Sequence, residues 1–426
     1  MGRVEERSSR RWLASLFLLC CTGPAAIAAG SPPASSASPP HAITLQEALA
    51  IALENNPELQ GTVREIDAAR ARKEGASLLL QDNPQVVTSA GPRSADGDDS
   101  VDWSVGIAQR VEIGGQRAVR IEAADAGLRV AEARLVARRS ALMADVREAV
   151  GLVVATEELS RVAEEALELA KDGLAAATER HEAGGASLIE VNTARIELGR
   201  ATRDAATAAQ DGDAALAALG LLLGAPGEFA VVPGGGRMES TICEEAPDAL
   251  LAAARKQRGD LVAAQAELEQ AHAEQRLAER EAIASPSIGV AYNRDENADI
   301  VLATFSVSLP IFDRNQLARG VAGARLAQAK LALASLDRAV ANQVGLALAE
   351  CRVARSIVES YRGDVVRAAQ SNLELANEGY LAGKLDFLQL LLIRREALDA
   401  RRGAVQGLQR RIAADVQMMR ATGSEL

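Results

Sequence analysis

Metal ligation needs histidine, cysteine or carboxylate groups converging at fixed spacing. This chain offers three histidines, His41, His181 and His272, far apart in sequence. Its four cysteines fall as an adjacent pair, Cys20-Cys21, and two distant residues, Cys243 and Cys351. Met418-Met419 near the end reads as packing. The chain has no G-x-S-x-G elbow and no H-E-x-x-H pair. Gly234-Gly235-Gly236, after Pro233, lacks the Lys-Ser/Thr that a phosphate loop needs and reads as flexible linker. Carboxylates are abundant, but their helical spacing suits a solvated face. No catalytic residue, cofactor site or metal site is expected, and an enzyme reading has nothing to stand on.

The elements that would position any site begin with an export signal. Arg3, Arg7, Arg10 and Arg11 outnumber Glu5 and Glu6, an apolar run Trp12–Cys21 follows, and Ala26-Ile27-Ala28 supplies a small-residue cleavage pattern. That order predicts a signal peptide over 1–28, followed by a Ser/Pro-rich linker over 29–42. The apolar run is too short for a spanning helix, which needs about 20 residues. Arg10-Arg11 reads as ordinary leader charge rather than a twin-arginine signal. Leu18-Leu19 before Cys20 lacks the small residue of lipoprotein processing, so both leader cysteines are expected to be removed. Cys243 and Cys351 would remain, one in a linker and one in a helical stretch. Their expected role is burial as small apolar residues rather than a disulfide. The net charge of −11 argues against a nucleic-acid partner, which wants a basic face. No apolar run of helix-spanning length occurs, which leaves a membrane β-barrel open, because its strands give weaker signals.

Self-similarity organises the rest. Asn56-Pro57-Glu58-Leu59 returns as Arg258-Gly259-Asp260-Leu261, and Asn83-Pro84-Gln85-Val86 as Ser285-Pro286-Ser287-Ile288. The segment 111–117 returns at 310–316, and Ala183-Gly184-Gly185 at Ala382-Gly383-Lys384. All four recur in the same order at an offset of about 200 residues, the mark of a tandem duplication. The predicted organisation is a first repeat over 43–225, a linker over 226–243 and a second repeat over 244–422.

Each repeat reads as a helix, two short strands and a very long helical stretch broken once. No proline occurs between Pro92 and Pro226 or after Pro310. Leu128, Leu135, Leu142, Val146, Val150 and Val153 recur at helical seam spacing. A helix from about Gln116 to His181 would be on the order of 100 Å long, too long to bury itself, so it must pair with other long helices. Val101, Trp103, Val105, Ile107 and Val111 alternate with small or polar residues, as do Val301, Ala303, Phe305, Val307 and Leu309. That period of two predicts strands with lipid on one face and water on the other. Acidic, polar segments at 94–100 and 293–299 read as hairpin loops. Four strands cannot close a barrel, and open edges are not tolerated in lipid, so a composite, oligomeric barrel is implied.

Ile43-Thr44-Leu45-Gln46-Glu47-Ala48-Leu49 leading into Asn55-Asn56-Pro57-Glu58-Leu59 resembles the opening of TolC-family outer-membrane efflux proteins. So do Leu309–Gln316 and the two Ala-Gly turns at 183–184 and 382–383. The resemblance spans 43–422, and Pro310–Gln316 looks most like the CzcC-type heavy-metal branch. It implies a mainly α fold with a small β part: two repeats of coiled-coil helices plus four membrane strands. Three copies would form a twelve-stranded barrel in outer-membrane lipid and a periplasmic α-barrel tunnel. Implied partners are two further copies, a periplasmic adaptor and an inner-membrane RND-type pump driven by protons. The implied function is a passive exit duct for divalent heavy metals. A duct for drugs, small organic compounds or polypeptide is the alternative within the family, and a periplasmic coiled-coil adaptor or structural protein the alternative outside it. By resemblance, Gly184, Gly185, Ser187, Gly383 and Asp386 form the periplasmic tip that meets the adaptor. Glu190 and Tyr380 would gate the aperture through a hydroxyl-to-carboxylate hydrogen bond. Where some relatives carry acidic residues in the second tip, this chain has Gln389 and Leu392, which puts an acidic cation-binding ring in doubt.

Overall fold

The computed structural model describes residues 41–95, 98–224, 229–232, 242–295 and 298–424. The leader with Cys20-Cys21, the linker up to Pro40 and the glycine run at 234–236 lie outside the described residues. The first repeat runs β1 (His41–Ile43), α1 (Leu45–Asn55), α2 (Pro57–Ser77), β2 (Gln85–Ala95), β3 (Asp98–Arg110), α3 (Gln116–Glu182) and α4 (Leu188–Leu223). After β4 (Phe229–Val231) and a 3₁₀ turn at Ile242–Glu244 come α5 (Pro247–Gln257), α6 (Gly259–Glu281), β5 (Ser287–Asp295) and β6 (Ala298–Ser306). The chain closes with α7 (Gln316–Ser360), α8 (Val366–Leu381) and α9 (Phe387–Thr422).

Each repeat opens with two helices where the sequence pattern predicts one. Thr44 and Glu47 cap each other reciprocally at the start of α1, with the Thr44 amide donating to Glu47 Oε2 at 2.7 Å. Pro57 then ends α1, because a residue before proline is driven out of the helical region. Asn56 is extended and its Oδ1 accepts from the Glu58 and Leu59 amides, starting α2. Arg258 makes the corresponding break between α5 and α6.

The two halves of the chain pack with like spacing. Leu142, Val146, Val150 and Val153 of α3 are buried against Ala48 and Ala52 of α1 and Ala215 and Leu219 of α4. Val340, Val344, Leu348 and Cys351 of α7 keep the same spacing and meet Leu250 and Ala254 of α5 and Ala414 and Met418 of α9. Long α3 also packs on α2, α6 and α9, tying the two repeats together. Alanine and glycine at the crossings let backbones close in: a Cβ on Gly259 would stand 2.6 Å from Ala137 Cα. One irregularity has no counterpart in α3, a π-helical turn at Tyr361–Val365 between α7 and α8. The Tyr361 ring lies over Gly403 of α9, where a Cβ would meet it at 2.7 Å.

Cys243 and Cys351 correct the sequence expectation. They are joined as a disulfide, with Cα atoms 6.0 Å apart. The turn at 242–244 brings the linker back onto α7, a return across 108 residues of sequence that spacing alone does not show.

The four long strands form one antiparallel sheet in the order β2-β3-β5-β6, so the two hairpins meet through β3 and β5. Strands β2 and β6 are its edges. A separate parallel pair, β1 with β4, had no sequence signal; three residues per strand are too few for a period to register. β6 stops at Ser306, short of the Leu309 that the alternation predicts.

Candidate functional site

The residues singled out from the sequence fall at two places on the fold, the helix reversals and the sheet. Each reversal is built from the same backbone motif. Gly184 and Gly383 adopt φ of +74° and +70°, which glycine reaches without the steric cost of a Cβ. Gly185 N donates to Arg180 O at 2.7 Å and Gly184 N to His181 O at 3.0 Å. Lys384 N donates to Gly379 O at 2.8 Å and Gly383 N to Tyr380 O at 3.0 Å. These paired bonds satisfy the last carbonyls of a helix that ends in a left-handed residue. The next helix restarts on a side-chain cap. Ser187 Oγ accepts from the Glu190 amide at 3.3 Å, and Asp386 Oδ1 from the Gln389 amide at 2.8 Å. Gln389 Oε1 accepts in return from the Asp386 amide at 3.1 Å. The glutamine standing where an acidic ring was considered is therefore half of a capping box.

An apolar cluster joins the reversals. Ala177 of α3, Val191 and Ala194 of α4 and Phe387 of α9 are buried together, with Leu174, Tyr380 and Leu391 against them. Tyr380 meets Phe387 with ring centroids 6.2 Å apart, and the Arg180 guanidinium sits 4.9 Å above the Tyr380 ring. Leu188, Ile189, Leu388 and Leu392 stay exposed beside the turns. Among the described residues no hydrogen bond joins Glu190 to Tyr380. Glu190 Oε2 and the Tyr380 hydroxyl are both buried without a partner inside the protomer.

Sequence reading missed the arginines of α9 that fasten the second hairpin to the first. Arg394 donates through Nη1 to Leu169 O at 3.3 Å and through Nη2 to Asn377 Oδ1 at 3.0 Å. Burial pulls its pKa down, and it fits because Gly173 opposite has no side chain to displace it. Arg395 pairs with Glu197, Arg401 with Glu165, and Arg402 with Asp204 at 3.5 Å. The hydrogen bond from Arg401 holds the Glu165 carboxyl below its usual range. Arginine at 394–395 and 401–402 repeats every seven residues, a signal that was available in the sequence.

One face of the sheet exposes an apolar belt. Val101, Trp103, Val105 and Ile107 of β3 are exposed, while the residues between them are partly covered. Register places Val86 and Val290 beside Ile107, Tyr292 beside Val105, and Val301 beside Tyr292. Trp103 and Tyr292 are in ring contact at 5.3 Å. The opposite face carries Val87, Ile300 and Leu302 among mostly small or polar residues: the Ser89 and Ser104 hydroxyls meet at 2.8 Å, and Arg93 pairs with Asp102 and Asp295. Among the described residues no helix is long and apolar enough to cross a membrane. One group of side chains among them could hold a cation, Cys243, Cys351 and Asp415, far from the turns in sequence.

The family model described as outer membrane efflux protein matches residues 48–225. The chain is 27% identical over 370 residues to the cobalt-zinc-cadmium resistance protein CzcC of Cupriavidus metallidurans, covering 84% of this chain and 85% of that one. It is 28% identical over 330 residues to the nickel-cobalt-cadmium resistance protein NccC of Alcaligenes xylosoxydans xylosoxydans, covering 74% and 70%. The fold matches the solved structure of CusC, a protein described as forming a transmembrane channel, with a TM-score of 0.73 and 19% identity, over 89% of this chain and 92% of that one. The matched family and the solved structure of like fold are of channel proteins. Residues 48–225 thus match the outer membrane efflux protein family, and the chain as a whole is similar in sequence and fold to outer-membrane efflux proteins.

Proposed function

We propose that three copies of this chain form the exit duct of a tripartite efflux assembly for divalent heavy-metal cations of the cobalt, zinc and cadmium type. The observation that carries the trimer is the sheet, four strands with an exposed apolar belt and two unpaired edges. Lipid tolerates such a sheet only when closed, and three copies give a twelve-stranded barrel. The similarity to CzcC and NccC carries the cargo. In this reading the helix reversals at Gly184-Gly185 and Gly383, with Ser187 and Asp386 as their caps, meet a periplasmic adaptor. The adaptor links the duct to an RND-type inner-membrane pump.

Glu190 and Tyr380 are the aperture residues in this reading. Each holds a buried oxygen without a partner inside one protomer, which suits groups completed by a neighbouring coil. Glu190→Ala should raise single-channel conductance; unchanged conductance and transport would remove the gate.

Deleting the gene tests the cargo. Growth should become sensitive to cobalt, zinc and cadmium while tolerance of dyes and detergents stays normal. The reverse pattern would keep the duct and replace metals by organic compounds.

A further inference from the structure

The two repeats fill equivalent places with different chemistry, and the difference is concentrated at one buried point. Val153 stands three residues after Val150 on the buried face of α3 as Cys351 stands three residues after Leu348 on that of α7. Leu216 follows Ala215 on α4 as Asp415 follows Ala414 on α9, and Leu216 packs on the first core. Ile43, ahead of α1, is buried in that core as Cys243, ahead of α5, is in the second. Val153 and Leu216 show that apolar side chains satisfy the packing at the places of Cys351 and Asp415. The second repeat instead buries two sulfurs and a carboxylate, and the buried carboxylate is costly unless compensated.

The geometry converges. Asp415 is 4% exposed, and its Oδ1 lies 3.4 Å from Cys243 Sγ and 3.5 Å from Cys351 Sγ. Arg411, one turn earlier on α9, brings Nε to 3.2 Å from Oδ1 and 3.0 Å from Oδ2. One ligand atom from each of Cys243, Cys351 and Asp415 falls within 4.8 Å of the other two.

We propose that this cluster has two exclusive states, the disulfide and, when reduced, a buried three-ligand site for one thiophilic divalent cation. Disulfide formation removes two protons and two electrons from the thiols and passes them to an external disulfide oxidant, which becomes a dithiol. In the reduced state the cation displaces both thiol protons, leaving two thiolates and one carboxylate on the metal. With Arg411 on the carboxylate the buried charges then sum to zero, as they do in the disulfide state. Neutrality in both states is what lets a buried site hold either. Arg411 stays the outer partner of the ligating carboxylate, the arrangement that orients metal ligands elsewhere.

The test uses the full-length protein in detergent, carrying Cys20→Ser and Cys21→Ser so that two cysteines remain. A phosphine reductant opens the disulfide, taking oxygen from water to become the phosphine oxide while two protons go to the sulfurs. After its removal without air, Cd²⁺ is titrated and sulfur-to-cadmium charge-transfer absorption followed. One Cd²⁺ per chain is expected in the reduced protein and none in the oxidised protein. Cys351→Val, which installs the residue of the first repeat and so keeps the packing, should show no charge-transfer band. Asp415→Asn should weaken binding at least tenfold. No uptake by the reduced protein, or uptake unchanged in Cys351→Val, overturns the site; unchanged affinity in Asp415→Asn removes the carboxylate from it. None of these readings depends on what the duct transports.

Discussion

Arg258 donates through Nη1 to the carbonyl oxygen of Ala421 at 3.2 Å, tying the break between α5 and α6 to the end of α9. The first repeat makes the same tie with a different side chain, Asn56 Nδ2 to Leu222 O at 2.9 Å. Arg258 also holds Gln343 at 2.6 Å and Asp260 at 2.6 Å. Arg258→Ala should destabilise by about 2–3 kcal/mol, since it strands charged and polar partners. Asn56→Ala should lose about 1–2 kcal/mol through the missing cap. Thermal unfolding of the two variants orders them; equal effects would show that the charge adds nothing.

The helix reversals should resist substitution in a graded way. Gly184→Val and Gly383→Val force a branched side chain into left-handed backbone, where L-residues cost about 1–2 kcal/mol. Gly185 has ordinary φ and open space apart from Arg180 O at 3.5 Å, so Gly185→Ala should be near neutral. Limited proteolysis at the turns would report the difference. Equal resistance in all three would mean the turn does not depend on glycine.

Opening the Cys243–Cys351 bond in the absence of metal should lower stability by about 2–4 kcal/mol, the usual range for a bridge across a long loop. Cys351→Val should lose less than Cys351→Ser, because valine occupies the equivalent core place in α3. Chemical denaturation measures both. A stability unchanged by reduction would leave the bridge without a structural role.

Acid should loosen the helices before it reaches the core. Hydrogen bonds from Arg401, Arg255 and Arg410 hold Glu165, Asp337 and Glu350 below their ordinary carboxyl values. A carboxylate lowered in the folded state contributes stability fully above its unfolded value of about 4, and loses it as pH falls through the folded value. The melting temperature should hold steady from neutral pH to about 5 and fall below about 4. Because these pairs are exposed, each effect is small and screened by salt. Arg401→Met should flatten part of the fall; a slope unchanged in that variant would remove this pair from the acid response.

What sequence made legible follows from what repeats locally. α3 runs Gln116–Glu182, close to the Gln116–His181 expected, because no proline or glycine cluster interrupts the seam. Glycines 184 and 383 mark the reversals because their backbone demands it. Alternation in β3 declared itself because Trp103, Val105 and Ile107 face one way. Other features depend on what meets across the fold. The split at Arg258 carries no proline, the Cys243–Cys351 bond needs the linker's return, and the Tyr361 π turn answers to Gly403 on another helix. Arg394 looks like any surface arginine until Gly173 leaves room to bury it.

If several copies of this chain close one channel, conductance across a planar lipid bilayer shows it most directly. Purified full-length protein should insert and give discrete, uniform conductance steps from a detergent-solubilised trimer. A monomer that never conducts, at any concentration added, would contradict the account.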